Sequence, residues 1–163
     1  MTFKYYIGLG SNIGPRLGYL KKAVVALREL GTVGQKSHIY ETEPWGDVQQ
    51  QKYLNAAVVL DTSLTPQDLL VEIKDIEQRL GRTPGRRWGP REIDIDIIWS
   101  DAPEINESNL QVPHKYLEQR RFVLEPLSEF SDTLQLHNQE EKISDLLRIC
   151  NDKSTVDKIN LNW

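Results

Sequence analysis

Ile93-Asp94-Ile95-Asp96-Ile97-Ile98-Trp99 is the stretch on which the fold turns. Its β-branched and apolar residues predict a strand. A strand alternates faces, so Ile93, Ile95 and Ile97 point one way and Asp94 and Asp96 the other. Working back from it, residues 83–90 are a Gly/Pro/Arg loop, and Gly81 stops a helix. That helix opens at Thr65-Pro66 and has Leu69, Ile73, Ile76 and Leu80 on its apolar face. Residues 53–61 and 33–41 read as strands, separated by a polar loop over 43–52. A helix with Leu17, Leu20, Val24, Leu27 and Leu30 precedes them, ending at Gly31. Residues 3–9 form the first strand. The order β-α-β-β-α-β is the split βαβ pattern of ferredoxin-like folds, so the expectation is an α+β sandwich, an antiparallel sheet with helices packed on it. Short strand pieces within 101–111, helices over about 121–129 and 143–150, and an edge strand within 155–163 complete the expected elements. No repeat or linker divides the 163 residues, so one domain over 1–163 is expected.

Composition excludes several classes. Hydrophobic residues make up 39% and charged residues 27%, which fits a folded chain rather than a disordered one. No apolar run approaches the roughly 18 residues of a membrane span. No secretory leader is read at Met1-Thr2-Phe3-Lys4. Cys150 is the single cysteine, which removes intramolecular disulfides and Cys-rich zinc sites and points to the cytoplasm. It reads as a buried helix residue rather than a nucleophile. A net charge of −4 argues against general nucleic-acid binding. Against this acidic background, five of the ten arginines crowd into residues 79–91. Arginine's planar fork suits phosphate, although a solvated basic loop would also crowd charge.

The arginine loop leads into the paired aspartates through Arg87-Trp88-Gly89-Pro90-Arg91-Glu92. Asp94 and Asp96, about 7 Å apart on one strand face, can share a hard cation, and Mg²⁺ is usually held by one or two carboxylates plus substrate phosphates. Alone, the pair would read as a solvent-facing acidic strand. Beside arginines it reads as an ATP–Mg²⁺ site. His114 and Arg120, six residues apart, can grip a phosphate chain, and His114 alone also fits a structural or surface role. Tyr53 and Asn55 share a strand face and suit a flat, hydrogen-bonding heterocycle; a core tyrosine beside a backbone-bonded asparagine fits the same pattern. Phe122 is either core or a stacking platform. Gly8-Leu9-Gly10-Ser11-Asn12-Ile13-Gly14 has the wrong spacing for a dinucleotide fingerprint, and no phosphate-binding GxxxxGK[ST] loop exists. Its glycines read as a tight turn that permits close backbone approach.

Together, the glycine turn, Tyr40-Glu41-Thr42-Glu43-Pro44-Trp45-Gly46, Tyr53-Leu54-Asn55, the segment from Arg87 to Asp96 and Val112-Pro113-His114 resemble the 6-hydroxymethyl-7,8-dihydropterin pyrophosphokinases of folate biosynthesis. The resemblance implies transfer of pyrophosphate from ATP to the pterin hydroxymethyl oxygen, with release of AMP. It implies two Mg²⁺ ions on Asp94 and Asp96, and Arg82 and Arg91 closing over the transferring group with Trp88 in the same loop. It places ATP against His114 and Arg120, with Leu70, Glu77, Arg87 and Ile97 nearby. It places the pterin between Tyr53 and Phe122, bonded by Asn55 and lined by Thr42, Glu43 and Trp45. Its expected partners are ATP and the pterin, not nucleic acid or membrane, and it is expected to be a cytoplasmic monomer. Lys74, Lys115 and Glu43 depart from residues often found at those positions. The rivals are a nucleotidyltransferase with an Asp-x-Asp pair, which would release pyrophosphate, and a ferredoxin-like ligand-binding module without turnover.

Overall fold

The computed structural model describes residues 1–44, 49–85, 87 and 89–163. Trp45 and Trp88, both expected in the site, and Arg86 lie outside the described residues. The first strand, β1 (Phe3–Ser11), is followed by α1 (Arg16–Leu27), β2 (Thr32–Lys36), β3 (Ile39–Thr42) and β4 (Tyr53–Thr62). Next come α2 (Pro66–Arg79) and β5 (Asp94–Ser100). The second half contains a small hairpin of β6 (Ile105–Asn106) and β7 (Gln111–Val112), a 3₁₀ turn (Leu117–Gln119) and α3 (Arg121–Leu127). A second hairpin, β8 (Thr133–Leu136) and β9 (Gln139–Lys142), leads into α4 (Ile143–Ile149) and β10 (Val156–Ile159).

The main sheet runs β10-β3-β4-β1-β5, with β2 also paired to β4, and its described ladders are antiparallel. Strand order β3-β4-β1-β5 is the α+β, ferredoxin-like arrangement that the sequence predicts. Residues 33–41 are expected as one strand and form two. Ser37 interrupts it: its N–H donates to Ala57 C=O at 2.9 Å and its hydroxyl accepts from Ala57 N–H at 2.9 Å. A side chain thus stands in for a backbone acceptor, and the ladder kinks there. The tail does return as an edge strand, β10 on β3.

Period-2 alternation gives the sheet two different faces. Tyr5, Ile7 and Leu9 of β1, Val58 and Leu60 of β4 and Ile95 and Ile97 of β5 pack under α1 and α2. Tyr6, Ala57, Val59 and Ile98 pack on the other side, against α3, the β8–β9 hairpin and α4. Helix α2 starts where Thr65 Oγ1 accepts the Asp68 N–H, with Pro66 in its first turn, and it ends at Gly81, whose φ of +95° suits glycine. No described helix is long and apolar enough to cross a membrane.

Candidate active site

On the α3 side the sheet register lines up two rows of residues. Asn55, Gly10 and Asp94 are neighbours across β4, β1 and β5, and Ala57, Gly8 and Asp96 form the next row. Two bare glycines therefore separate the amide from the carboxylates, and strands about 4.8 Å apart put Asn55 about 10 Å from Asp94. The glycines are a floor. A Cβ on Gly10 would lie 2.7 Å from Asn55 Oδ1, so no larger residue fits without moving that amide. The glycine motif, expected as a tight turn, is strand at Gly8 and Gly10, which supply this floor, and only its Gly14, with φ of 67°, takes a turn conformation.

Above the floor is a cavity of about 280 Å³. Of the residues predicted for the site, Thr42, Glu43, Tyr53, Asn55, Arg87, Arg91, Asp94, Asp96, His114, Arg120 and Phe122 line it. Gln50, Lys115 and Tyr116 join them, as does an apolar wall that includes Ala57, Val123 and Leu127. At one end Asn55 Nδ2 donates to Thr42 Oγ1 at 2.6 Å, which fixes the amide. Tyr53 Oη lies 3.5 Å from Gly89 C=O, and burial, with Asp94 nearby, holds the phenol above its ordinary pKa. Glu43 is exposed and paired with Lys52 at 3.1 Å.

In the middle, Asp94 Oδ1 receives Arg91 Nη1 at 3.0 Å and Arg82 Nη1 at 3.3 Å. Burial first, and then Asp94, push the Asp96 carboxyl up to about 7, with Arg120 opposing the shift. Two adjacent hard carboxylates, one reluctant to ionise without a counter-charge, suit a divalent cation. At the far end Arg120 is buried under the rings of Tyr116 and Phe122, 4.6 and 5.5 Å from their centroids. Burial pulls its pKa down, against Asp96 and Asp94. His114 donates its N–H to Ile98 C=O at 2.8 Å, and its Nδ1 accepts from Tyr116 N–H at 3.1 Å. Burial, helped by Arg120, lowers the imidazole to about 4, so it is neutral at pH 7 and carries its proton on Nε2.

Leu70, Glu77, Ile97 and Arg82 do not line this cavity, and Arg82 reaches it only through its contact with Asp94. Ile97 is 4% exposed and packs with Leu70 in the core under α1 and α2. Glu77 is buried and fully engaged: Oε1 accepts Ile95 N–H at 2.8 Å, and Oε2 receives Arg82 at 2.6 Å and Lys74 at 3.2 Å. It borders a second hollow with Lys74, Arg82, Thr83 and Pro90, and Arg91 borders both. Its geometry is that of a bracket that fixes β5 and holds Arg82 against Asp94.

Residues 6–132 match the family model described as 7,8-dihydro-6-hydroxymethylpterin-pyrophosphokinase. Three relatives are named 2-amino-4-hydroxy-6-hydroxymethyldihydropteridine pyrophosphokinase. The one from Methylorubrum extorquens is 45% identical over 131 residues, 79% of this chain and 83% of its own length. The one from Aquifex aeolicus is 44% identical over 124 residues, 76% and 78% of the two chains. The one from Bacillus subtilis is 42% identical over 156 residues, 94% and 93%. Among solved structures, Plasmodium falciparum HPPK-DHPS with pterin and p-hydroxybenzoate superposes with a TM-score of 0.71 at 18% identity, over 91% of this chain. The same protein with pteroate gives 0.72 at 17%. This chain spans 42% of each of those chains, and at such identity they speak for the fold alone. With the family model covering most of the sequence and relatives matched over most of their length, the chain belongs to the 7,8-dihydro-6-hydroxymethylpterin-pyrophosphokinase family.

Proposed function

We propose that this chain transfers pyrophosphate from ATP to the hydroxymethyl oxygen of 6-hydroxymethyl-7,8-dihydropterin, a step of folate biosynthesis. The hydroxymethyl oxygen bonds to the β-phosphorus as the bond from that phosphorus to the α-phosphate oxygen breaks, and AMP leaves. The observation that carries this reading is a cavity over β4, β1 and β5 in which Tyr53 and Asn55, the carboxylate pair, and then His114 with Arg120 follow one another. ATP-dependent transfer of this kind needs positioning and charge neutralisation more than covalent help. Asp94 and Asp96 are the ligands for Mg²⁺, read as two ions, and the metal bound there supplies Lewis-acid stabilisation of the phosphates.

The protein's own groups do the rest. Arg82 and Arg91 neutralise charge that builds on the transferring group. Arg120, His114 and Arg87 hold the triphosphate, with neutral His114 donating from Nε2. Tyr53 and Phe122 sandwich the pterin, Asn55 reads its edge, and Thr42 fixes Asn55. The departure at Lys115 adds a cation at the cavity mouth. We also read the chain as one domain and a monomer, and its single cysteine, buried and free, fits the cytoplasm.

Incubation with ATP, Mg²⁺ and 6-hydroxymethyl-7,8-dihydropterin should yield AMP and the pterin diphosphate. Pyrophosphate as the released product would instead identify a nucleotidyltransferase, and binding without turnover a ligand-binding module. Within the pterin end, Tyr53→Ala and Phe122→Ala should each weaken pterin binding by about 0.5–1.5 kcal/mol beyond the lost area. Asn55→Ala should cost more, because it leaves polar groups of the ring unpaired against a buried stretch of β4. Calorimetry with each ligand alone checks this. Equal losses for ATP and pterin would point to general unfolding.

A further inference from the structure

Asp152 lies between α4 and β10, outside the cavity walls, and has no part in the chemistry above. Helix α3 begins without a cap of its own, since Arg120, the residue before it, gives no side-chain cap bond. The first helical N–H, that of Arg121, instead donates to Asp152 Oδ2 at 3.0 Å. The other oxygen, Oδ1, accepts the Ser154 N–H at 2.9 Å and the Ser154 hydroxyl at 2.5 Å. Burial raises this carboxyl, but the bonds from Ser154 and Arg121 outweigh it and hold the group below its ordinary pKa. At pH 7 it is therefore an ionised group that only accepts. Its segment is fixed on both sides. Cys150, 2% exposed, packs in the core on the α3 face, and β10 joins the sheet at Val156, opposite Thr42.

The bond bears on the cavity wall. Arg120 and Phe122 flank Arg121 in the chain, and both line the cavity. A helix start that loses its cap frays from the first turn. Leu124 and Leu127 are fully buried, so the rest of α3 stays anchored and the displacement falls on residues 120–122. We propose that Asp152 is a positioning residue that acts through Phe122, capping α3 from a distant segment so that the ring stays where the pterin stacks. This rests on the function proposed above.

A double-mutant cycle separates this role from general support. The pterin dissociation constant is measured by calorimetry for the wild type, Asp152→Ala, Phe122→Ala and the double variant. Mg²⁺ and the non-hydrolysable α,β-methylene analogue of ATP are held at one saturating concentration throughout. Asp152→Ala is expected to weaken pterin binding about fivefold, the size of a lost cap. Where Phe122 is already alanine, the same change should cost less than about twofold. Asp152→Asn keeps an oxygen for the Arg121 N–H and should stay within about twofold of wild type. Equal losses in both backgrounds overturn the proposal, as does no loss in Asp152→Ala or a loss in Asp152→Asn as large as in Asp152→Ala. If Asp152→Ala does not fold, Asp152→Ser, whose shorter side chain stops short of the helix, takes its place in the cycle. Failure of both to fold makes Asp152 a folding residue and overturns the proposal as well. A wild type that binds no pterin overturns the pyrophosphokinase reading beneath it, whereas the other adverse outcomes overturn this inference alone.

Discussion

Replacing Asp96 with asparagine is expected to raise the melting temperature of the metal-free protein at pH 8 by several degrees and to cut turnover at least about a thousandfold. The first half follows from the direction of the Asp96 shift. Its carboxyl is pushed up to about 7 by burial and by Asp94. The folded state therefore favours the protonated form, so the stabilising contribution is complete below the ordinary carboxyl range near pH 4. It fades as the pH rises and is gone above about 7. At pH 8 the metal-free fold carries a charge it would rather not hold. Each pKa unit corresponds to ~1.4 kcal/mol, and solvent in the open cavity reduces the total to ~2 kcal/mol. For a chain of this size that is about 4–8 °C. The second half follows because the charge the fold resists is the one a cation needs. Three decades in rate is ~4 kcal/mol of barrier, within what a bound metal supplies. Mg²⁺ binding should accordingly release a proton as the pH falls toward 5, measured by calorimetry in buffers of different ionisation enthalpy. A folded Asp96→Asn protein that makes AMP at a near-normal rate would sink the metal assignment, and an unchanged melting temperature would sink the electrostatic account. Asp94→Ala should lose turnover similarly without the gain in stability, since it strips Arg82 and Arg91 of the carboxylate they share.

Arg82→Ala and Arg91→Ala are each expected to lower kcat by at least roughly tenfold, about 1.4 kcal/mol, while the dissociation constants of MgATP and pterin change much less. In the structure both guanidinium groups sit on Asp94 Oδ1, and Arg82 is held there by buried Glu77 at 2.6 Å. Both are already ordered on the carboxylate that the proposed function sets beside the phosphates, which would make their stabilisation inexpensive at the moment of reaction. Interactions made mainly in the transition state raise kcat with little effect on affinity. Single-turnover rates set beside equilibrium affinities separate the cases. A large loss of ATP affinity with an intact chemical step would make these arginines ground-state anchors. Glu77→Gln keeps the Ile95 bond but weakens the hold on Arg82, so it should follow Arg82→Ala in direction and fall short of it in size.

Much of this was legible in the residues. The faces of β5 followed from alternation alone, because Ile95 and Ile97 had to be buried and Asp94 and Asp96 therefore had to face the other way. The helices over 16–27 and 66–79 followed from apolar spacing and from punctuation at Pro15, Thr65 and Gly81. What escaped depended on side chains replacing backbone. Ser37 splits a strand by accepting a ladder hydrogen bond, and no propensity records that. The β8–β9 hairpin turns on His137 and Asn138, with φ of 51° and 64°, without the glycine that would have announced it. Glu77 reads as a nucleotide contact by resemblance, and only its three bonded partners reveal a bracket. Asp152 is invisible for the same reason: the helix start it caps lies 31 residues away.

The position of β5 at the rim of the sheet bears on how copies of this chain behave toward one another. A terminal strand rich in isoleucine, with backbone groups facing outward, is a template for pairing with another molecule and the usual starting point of aggregation. Glu77 blunts that rim by taking the Ile95 N–H, and His114 does so again by donating to Ile98 C=O. Glu77 therefore serves the rim as well as the site, and a variant that removes its carboxylate uncovers the edge it closes.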